Sequence, residues 1–182
     1  SSAQALSVVD VPGTLPAGVS YDSATHSFTL DPSVAEYQHL AAGDTTTVTV
    51  SYGVSDGVAT TAASVSWTVT GTNDAPVVSG AVTGTATEDG TVSTLDALSN
   101  ASDADNTVSA QALSVVDVPG TLPAGVSYDS ATHSFTLDPS VAAYQHLAAG
   151  DTTTVTVSYG VSDGGATTAA SVSWTVTGTN DA

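Results

Sequence analysis

The side chains in this sequence that could do chemistry are nearly all oxygen ligands. Asn73 and Asp74 lie in Gly71-Thr72-Asn73-Asp74-Ala75-Pro76, and the same run returns as Asn180 and Asp181 at 178–182. Asp103 and Asp105 stand one residue apart in a polar loop, Asn100 to Asn106. Thr87-Glu88-Asp89-Gly90, Ser162-Asp163-Gly164, Gly43-Asp44 and Gly150-Asp151 supply further carboxylates in turn-like settings. Softer metals would want Cys or clustered His. The chain has no Cys, and its four His lack a second His at ligand spacing. Calcium takes about six to eight oxygens in irregular geometry, so it can draw ligands and backbone carbonyls from two places at once. The chemistry these residues offer is therefore calcium binding.

The charge balance points the same way. There are no Lys or Arg and 18 Asp plus Glu, a formal charge of −18. Nucleic acid is excluded as a partner, because phosphate is neutralised by protein cations. Direct contact with an anionic membrane is disfavoured on the same ground. Self-repulsion destabilises a compact acidic chain unless a cation screens or binds it. A phosphate loop needs a Lys, and no Gly-x-Ser-x-Gly elbow is present. Neither an enzyme nor a small-molecule substrate is expected. With 41% hydrophobic residues, rich in Val and Thr, the chain reads as folded β structure rather than a solvated tail. It has no disulfide staples and no apolar run of membrane-span length. An interior segment of a larger exported protein would have this composition.

The elements that position these ligands are repeated. Ser2 to Ala75 matches Ser109 to Ala182 at an offset of 107 residues. Only Glu36, which becomes Ala143, and Val58, which becomes Gly165, differ. The period fits a whole domain with its own core. Such uniformity suits a spacer array whose partners are adjacent identical repeats in the same chain. Residues 1–75 read as the carboxyl-terminal part of a first β-sandwich, and 76–182 as a complete second one. The first lacks a counterpart of Pro76 to Thr107. Five strands without the first two would expose one side of a core and could borrow strands from a neighbouring chain.

Seven short strands are expected in the complete repeat. They are Val77 to Thr83, Thr91 to Leu95, Gln111 to Val118, Val126 to Tyr128, His133 to Leu137, Thr152 to Tyr159 and Ala166 to Thr177. Alternation puts Val155, Val157 and Tyr159, and likewise Val172, Trp174 and Val176, on one face each. Asp129 to Thr132 turns a hairpin. Asp138-Pro139 opens a short helical turn between strands five and six, with Val141, Tyr144 and Leu147 facing inward. The whole is the pattern of tandem seven-stranded immunoglobulin-like sandwiches. In that topology Asp103, Asp105 and Asp163 gather near the Asn73-Asp74 connector, with Asp44 of the first unit approaching from the other side. Glu88, Asp89, Asp151, Asn180 and Asp181 gather at the far end, facing the next domain.

Simpler roles compete for some of these residues. Asp117, Asp129 and Asp138 read as turn residues. Asp163 fits a turn and a ligand equally, and Gly43-Asp44 also makes a good turn. Trp67 and Trp174 sit mid-strand and read as core. The Thr45-Thr46-Thr47 run is explained by β propensity.

These motifs together resemble the VCBS-type, cadherin-like repeats of very large bacterial RTX adhesins. The marks are Gly-Thr-Asn-Asp-Ala-Pro at 71–76, Thr-Glu-Asp-Gly at 87–90, Ser-Asp-Ala-Asp at 102–105, Leu-Ala-Ala-Gly-Asp at 40–44 and 147–151, and Ser-Asp-Gly at 55–57 and 162–164. The resemblance implies an extracellular extender on a bacterial cell surface, exported by a type I system and stiffened by calcium at its junctions. It assigns Asn73 and Asp74 to the connector, Asp103 and Asp105 to the following loop, and Glu88 to the far junction. The cadherin Asp-Arg-Glu motif has no match, because there is no Arg. A second reading is a module that itself grips a glycan or surface. It predicts an exposed aromatic or Thr-rich patch, whereas a spacer predicts apolar side chains turned inward and ligands only at the ends.

Overall fold

The computed structural model describes residues 5–107 and 112–180. The chain divides into two compact units that adjoin in sequence at Asn73 and Asp74. In the first unit the strands are β1 (Ser7–Val9), β2 (Val19–Asp22), β3 (Ser27–Leu30), β4 (Thr45–Ser55) and β5 (Thr60–Thr70). One sheet has the order β1-β4-β5, and β2 and β3 form a separate hairpin. Tyr37, Leu40, Val48 and Val69 make its small buried core.

The second unit contains β6 (Val77–Val78), β7 (Val82–Thr87), β8 (Ser93–Asp96), β9 (Ala101–Ser102), β10 (Ser114–Val116), β11 (Val126–Asp129), β12 (Ser134–Leu137), β13 (Thr152–Ser162) and β14 (Thr167–Thr177). One sheet runs β10-β13-β14-β7 and the other β11-β12-β8, with β6 and β9 paired beside them. β7 lies parallel to β14, from Val82↔Val172 to Thr87↔Thr177, while β13 and β14 pair antiparallel over their full lengths. An all-β sandwich in which the first strand changes sheets to run beside the last has the immunoglobulin-like strand order. The core lies between the sheets. Phe135, Leu137, Val161, Val172, Trp174 and Val176 are completely buried there. Tyr128, Phe135 and Tyr159 stack in series, with centroids 4.7 and 5.2 Å apart. The alternation read from Thr152 onward is realised: Thr152, Thr154 and Thr156 face water and Val155 and Val157 the core.

Two sequence expectations need correction, and a third, the short helical turn, gains its geometry. The first strand is not continuous from Val77 to Thr83. It breaks at Gly80, whose φ of 152° excludes residues with a Cβ, so β6 pairs with β9 while β7 joins β14. The second strand begins at Ser93 and is followed after a turn by the short β9, which the sequence reading missed. The helical turn before β13 is tighter than an α-helix. Tyr144 N–H donates to the Val141 carbonyl and Leu147 N–H to that of Tyr144, both 3.1 Å and both three residues back. Its counterpart in the first unit is a 3-10 turn, Ala35–Tyr37. A span this short between Asp138-Pro139 and Gly150 favours the i+3 bond. The inward face is as expected, with Tyr144 buried and Val141 and Leu147 packed against the core. Asp138 closes its own turn, accepting from Ser140 N–H at 2.9 Å and Ser140 Oγ at 2.6 Å. Trp174 is a core residue whose indole N–H donates to Ser93 Oγ at 3.1 Å.

Candidate metal centre

Loops at the two ends of the second unit carry the candidate ligands. At one end β9 runs directly into Asp103, and its partner β6 follows directly on Pro76. Thr168 Oγ1 donates to the Pro76 carbonyl at 2.6 Å, which ties the start of the unit to the start of β14 beside the Asp163 turn. Asp74, Asp103, Asp105 and Asp163 are thus delivered to one end by neighbouring elements.

Hydrogen bonds join three of them. The Asp105 N–H donates to Asp103 Oδ1 at 2.9 Å. The Asp74 N–H donates to Asp105 Oδ2 at 2.7 Å. The one-residue spacing of Asp103 and Asp105 makes the first bond, an Asx-type turn. Asp74 thus enters through its backbone as a donor, a role the sequence reading missed; its side chain is exposed. Asp105 is completely buried. Asp103 Oδ2 and Asp105 Oδ1 are both shut off from solvent and have no hydrogen-bond partner.

Asp163 is also buried, but one of its oxygens is committed to its turn. Oδ1 accepts from Gly165 N–H and Ala166 N–H, both at 2.6 Å. Asp56, its copy, closes the same turn with Val58 and Ala59 N–H, both at 2.8 Å. These two N–H bonds lower the Asp56 carboxyl below the usual carboxylate range. Asn73 and Asp44 belong to the first unit, where Gly71 N–H donates to the Asp44 carbonyl at 2.8 Å.

At the other end, Glu88 follows β7 and Thr179 follows β14. The parallel register sets them side by side. Glu88 N–H donates to the Thr177 carbonyl at 2.9 Å, and Thr179 N–H returns to Glu88 Oε2 at 3.0 Å. Glu88 is only 1% exposed, and its Oε1 is buried with no hydrogen-bond partner. Asp151 sits across from Gly178, whose N–H donates to the Asp151 carbonyl at 2.8 Å. A Cβ on Gly178 would lie 2.5 Å from the Ala148 carbonyl oxygen and 2.6 Å from Leu147 Cβ, so only Gly fits this exit. Asp89 and Asn180 are exposed. Asp181 lies outside the described residues.

Ionised oxygens buried without a partner are costly, on the order of several kcal/mol each. With no Lys or Arg in the sequence, an extended positive side chain cannot supply the compensation. Hard, all-oxygen donor sets with unspent lone pairs fit calcium. Among the described residues, however, no three acidic or His side chains converge as a ready metal cluster. Asp103 and Asp105 at one end, and Glu88 at the other, would need carbonyls, amides or further carboxylates beside them to complete a shell.

No protein-family model matches the chain, and no curated protein sequence matches it. Solved structures with a similar course of the backbone include mouse clustered PcdhgC3 EC1-3, at 17% identity over 95% of this chain and 54% of that one, with a TM-score of 0.48. Drosophila N-cadherin EC1-4 is similar at 11% identity over 98% of this chain and 43% of that one, with a TM-score of 0.49. An endo-fucoidan hydrolase of glycoside hydrolase family 107 is similar at 20% identity over 96% of this chain, with a TM-score of 0.35. The chain spans 24% of that hydrolase's length, and about half of the other two.

Proposed function

We propose that the chain is a calcium-stiffened extender from a large bacterial cell-surface adhesin of the RTX type, built of VCBS-type repeats and exported by a type I system. It acts outside the cell, as a spacer that projects a distal adhesive domain, and not as an enzyme. The observation that carries this reading is the set of buried carboxylate oxygens without partners, on Asp103, Asp105 and Glu88, in a chain without a single Lys or Arg.

Asp103 and Asp105 would hold calcium at the leading end of a repeat, with Asn73, Asp74, Asp44 and Asp163 as further oxygen donors. Glu88, Asp89, Asp151, Asn180 and Asp181 would do so at the trailing end, where an adjacent identical repeat supplies the rest. Bound there, calcium would supply positive charge and a multidentate link across the connector. The protein's part is to orient the ligands. The Asp74 and Asp105 N–H groups fix one oxygen of each loop carboxylate and leave the other unspent. The Thr179 N–H does the same for Glu88.

Calorimetry and small-angle scattering in calcium and in chelator test this directly. Calcium should raise the melting temperature and lengthen the maximum dimension. Identical curves in both conditions would refute the spacer reading. Direct adhesion to a glycan or surface remains the second reading, favoured by one observation. Thr83 and Thr85 on β7, Thr175 on β14, and Thr154 and Thr156 on β13 make an exposed hydroxyl-bearing face. Binding of this chain to polysaccharide in chelator would favour that alternative.

A further inference from the structure

The outward face of one sheet in the second unit is built almost wholly of hydroxyls. On β13 the outward residues Thr152, Thr154, Thr156, Ser158 and Gly160 pair in register with Thr177, Thr175, Ser173, Ser171 and Ala169 of β14. Thr83, Thr85 and Thr87 of β7 continue three of these rows. Val155, Val157, Val172, Trp174 and Val176 point the other way, into the core. No residue of β7, β13 or β14 is charged, in a chain of formal charge −18. The opposite sheet differs, since β8 and β11 end in Asp96 and Asp129. Thr156 Oγ1 and Ser173 Oγ lie 3.1 Å apart as a cross-strand pair, and Thr49 and Ser66 repeat it at 3.0 Å in the first unit. β propensity accounts for the Thr. It accounts neither for the Ser nor for the missing charge, since a soluble surface ordinarily carries about a quarter to a third charged residues.

The Gly160–Ala169 row interrupts the hydroxyls. It floors a hollow of about 380 Å³ bounded by Ser158, Thr167 and Asp117. A second hollow of about 330 Å³ shares Ser158 and Ala169 and runs past Ser171 to Gly80 and Ala81, which lie beyond the ladder that β7 makes with β14. Together they form a trough from the end of β10 to the start of β7, three strand spacings or about 14 Å. A Cβ on Gly160 would lie 2.7 Å from Thr167 Cγ2 and 2.9 Å from Val116 Cγ2, so a larger residue is crowded out of the floor. Asp117 Oδ2 is 3.2 Å from the same point, which sets an exposed carboxylate at the rim. The first unit repeats the arrangement. Gly53 pairs with Ala62, and Asp10 Oδ2 lies 3.0 Å from the Gly53 Cβ position.

We propose that this trough binds a neutral polysaccharide. The inference rests on the second reading above, to which it gives a site and a ligand class, and it is independent of calcium. A carboxylate accepts from two adjacent hydroxyls, and Ser and Thr hydroxyls both donate and accept. Asp117 would take a vicinal diol of one sugar, with Ser158, Thr167 and Ser171 bonding the hydroxyls beside it. A chain with 18 Asp plus Glu and no Lys or Arg repels anionic polymers. The outward positions of β7, β13 and β14 offer no aromatic ring and no apolar patch, so hydrogen bonding is the chemistry available to the face. Each such bond is made in exchange for water and adds little, so one trough holds a short sugar weakly. A polymer long enough to engage the trough of each unit gains by avidity.

The test is affinity electrophoresis of the 182-residue chain in chelator, through native gels containing dextran, galactomannan or hydroxyethyl cellulose, with alginate as the anionic comparison. At least one neutral polymer should retard the chain, and alginate should not. Ala62→Asp together with Ala169→Asp, both at exposed positions, puts a carboxylate into each trough and should raise the apparent Kd at least about tenfold. Ser20→Asp together with Ser127→Asp adds the same charge to β2 and β11 and should leave the Kd unchanged. No retardation by any of the polymers would overturn the second reading and this site together. Retardation that survives the two trough substitutions, or that falls as far with the two Ser substitutions, would overturn the site alone. Retardation by alginate equal to that by the neutral polymers would overturn the ligand class.

Discussion

Replacing Asp105 by Asn should change sign with calcium. In the parent, Asp105 is fully buried, Oδ2 accepts the Asp74 N–H and Oδ1 has no hydrogen-bond partner. Asn keeps the shape and one acceptor oxygen for that N–H. It replaces a buried carboxylate oxygen that has no hydrogen-bond partner with a neutral amide. An unsatisfied neutral group costs about 1–3 kcal/mol, and an unpaired buried charge costs more. In chelator the variant should therefore be at least as stable as the parent. In calcium the order should invert. Extracellular sites of this kind have dissociation constants of about 0.1–1 mM, so about 10 mM calcium adds roughly 1.4–2.7 kcal/mol to a parent with one filled site. For a unit of this size that is a rise of roughly 6–20 °C in melting temperature. The variant should lose most of this rise. Calorimetry of both proteins in chelator and in calcium decides it. A variant that melts below the parent in chelator, or rises as much in calcium, would refute the assignment of Asp105 as a stored ligand.

Phe135→Ala should cost about 3–5 kcal/mol, the usual loss for a fully buried ring, and Phe28→Ala less than half of that, because Phe28 is only half-buried; denaturant midpoints of the two variants check it. Gly178→Ala should lower the midpoint, because the added methyl meets the Ala148 carbonyl and Leu147. At high pH, Tyr159 is the weak point. Burial first, and then the charges of Asp96 and Tyr128, push its hydroxyl up to about 12 from 10.0. The folded value lies above the unfolded one, so this stability is intact below about pH 10 and lost as pH climbs toward about 12. Tyr159→Phe should flatten that alkaline loss in urea midpoints compared at about pH 9 and about pH 11.5. At low pH the sign reverses. Hydrogen bonds from Ala131 and Thr132 lower the Asp129 carboxyl, and those from Ser140 lower Asp138. Their contribution is present above the unfolded carboxylate value and disappears as pH falls through the folded one, which an acid titration followed by circular dichroism will register.

Local pattern made the long strands legible, and long-range pairing stayed hidden. Val155, Val157, Val172, Trp174 and Val176 announce their face by period two, because each side of a strand meets one environment. The hairpin from Val126 to Leu137 follows from its turn residues. Nothing local says that Val82 lies beside Val172 in a parallel ladder, since that register is set by the packing of two sheets. For the same reason the sequence could offer Glu88 as a candidate ligand without showing that it is buried against Thr179. The break at Gly80 left only a single glycine as its signal. Asp105 was legible by its spacing from Asp103, but its complete burial was not, because an Asp is ordinarily exposed unless paired.

Among the described carboxylates of this chain, two physical kinds stand apart. Asp22, Asp31, Asp56, Asp129 and Asp138 are lowered by bonds from their own turns: Ala24 and Thr25 for Asp22, Ser33 for Asp31. They are satisfied locally, and each makes the same turn in either copy. Asp103, Asp105 and Glu88 instead accept a single bond that orients the group and keeps a buried oxygen unspent. A turn needs only the first arrangement. The second raises the energy of the ion-free fold, and on the proposed reading a bound cation would offset it. Alanine in place of any self-satisfied Asp should therefore lower stability equally with and without calcium. Loss of Asp103, Asp105 or Glu88 should alter the calcium increment itself, and a series that failed to divide along this line would leave acidity of the surface, not stored ligands, as the reason for the missing Lys and Arg.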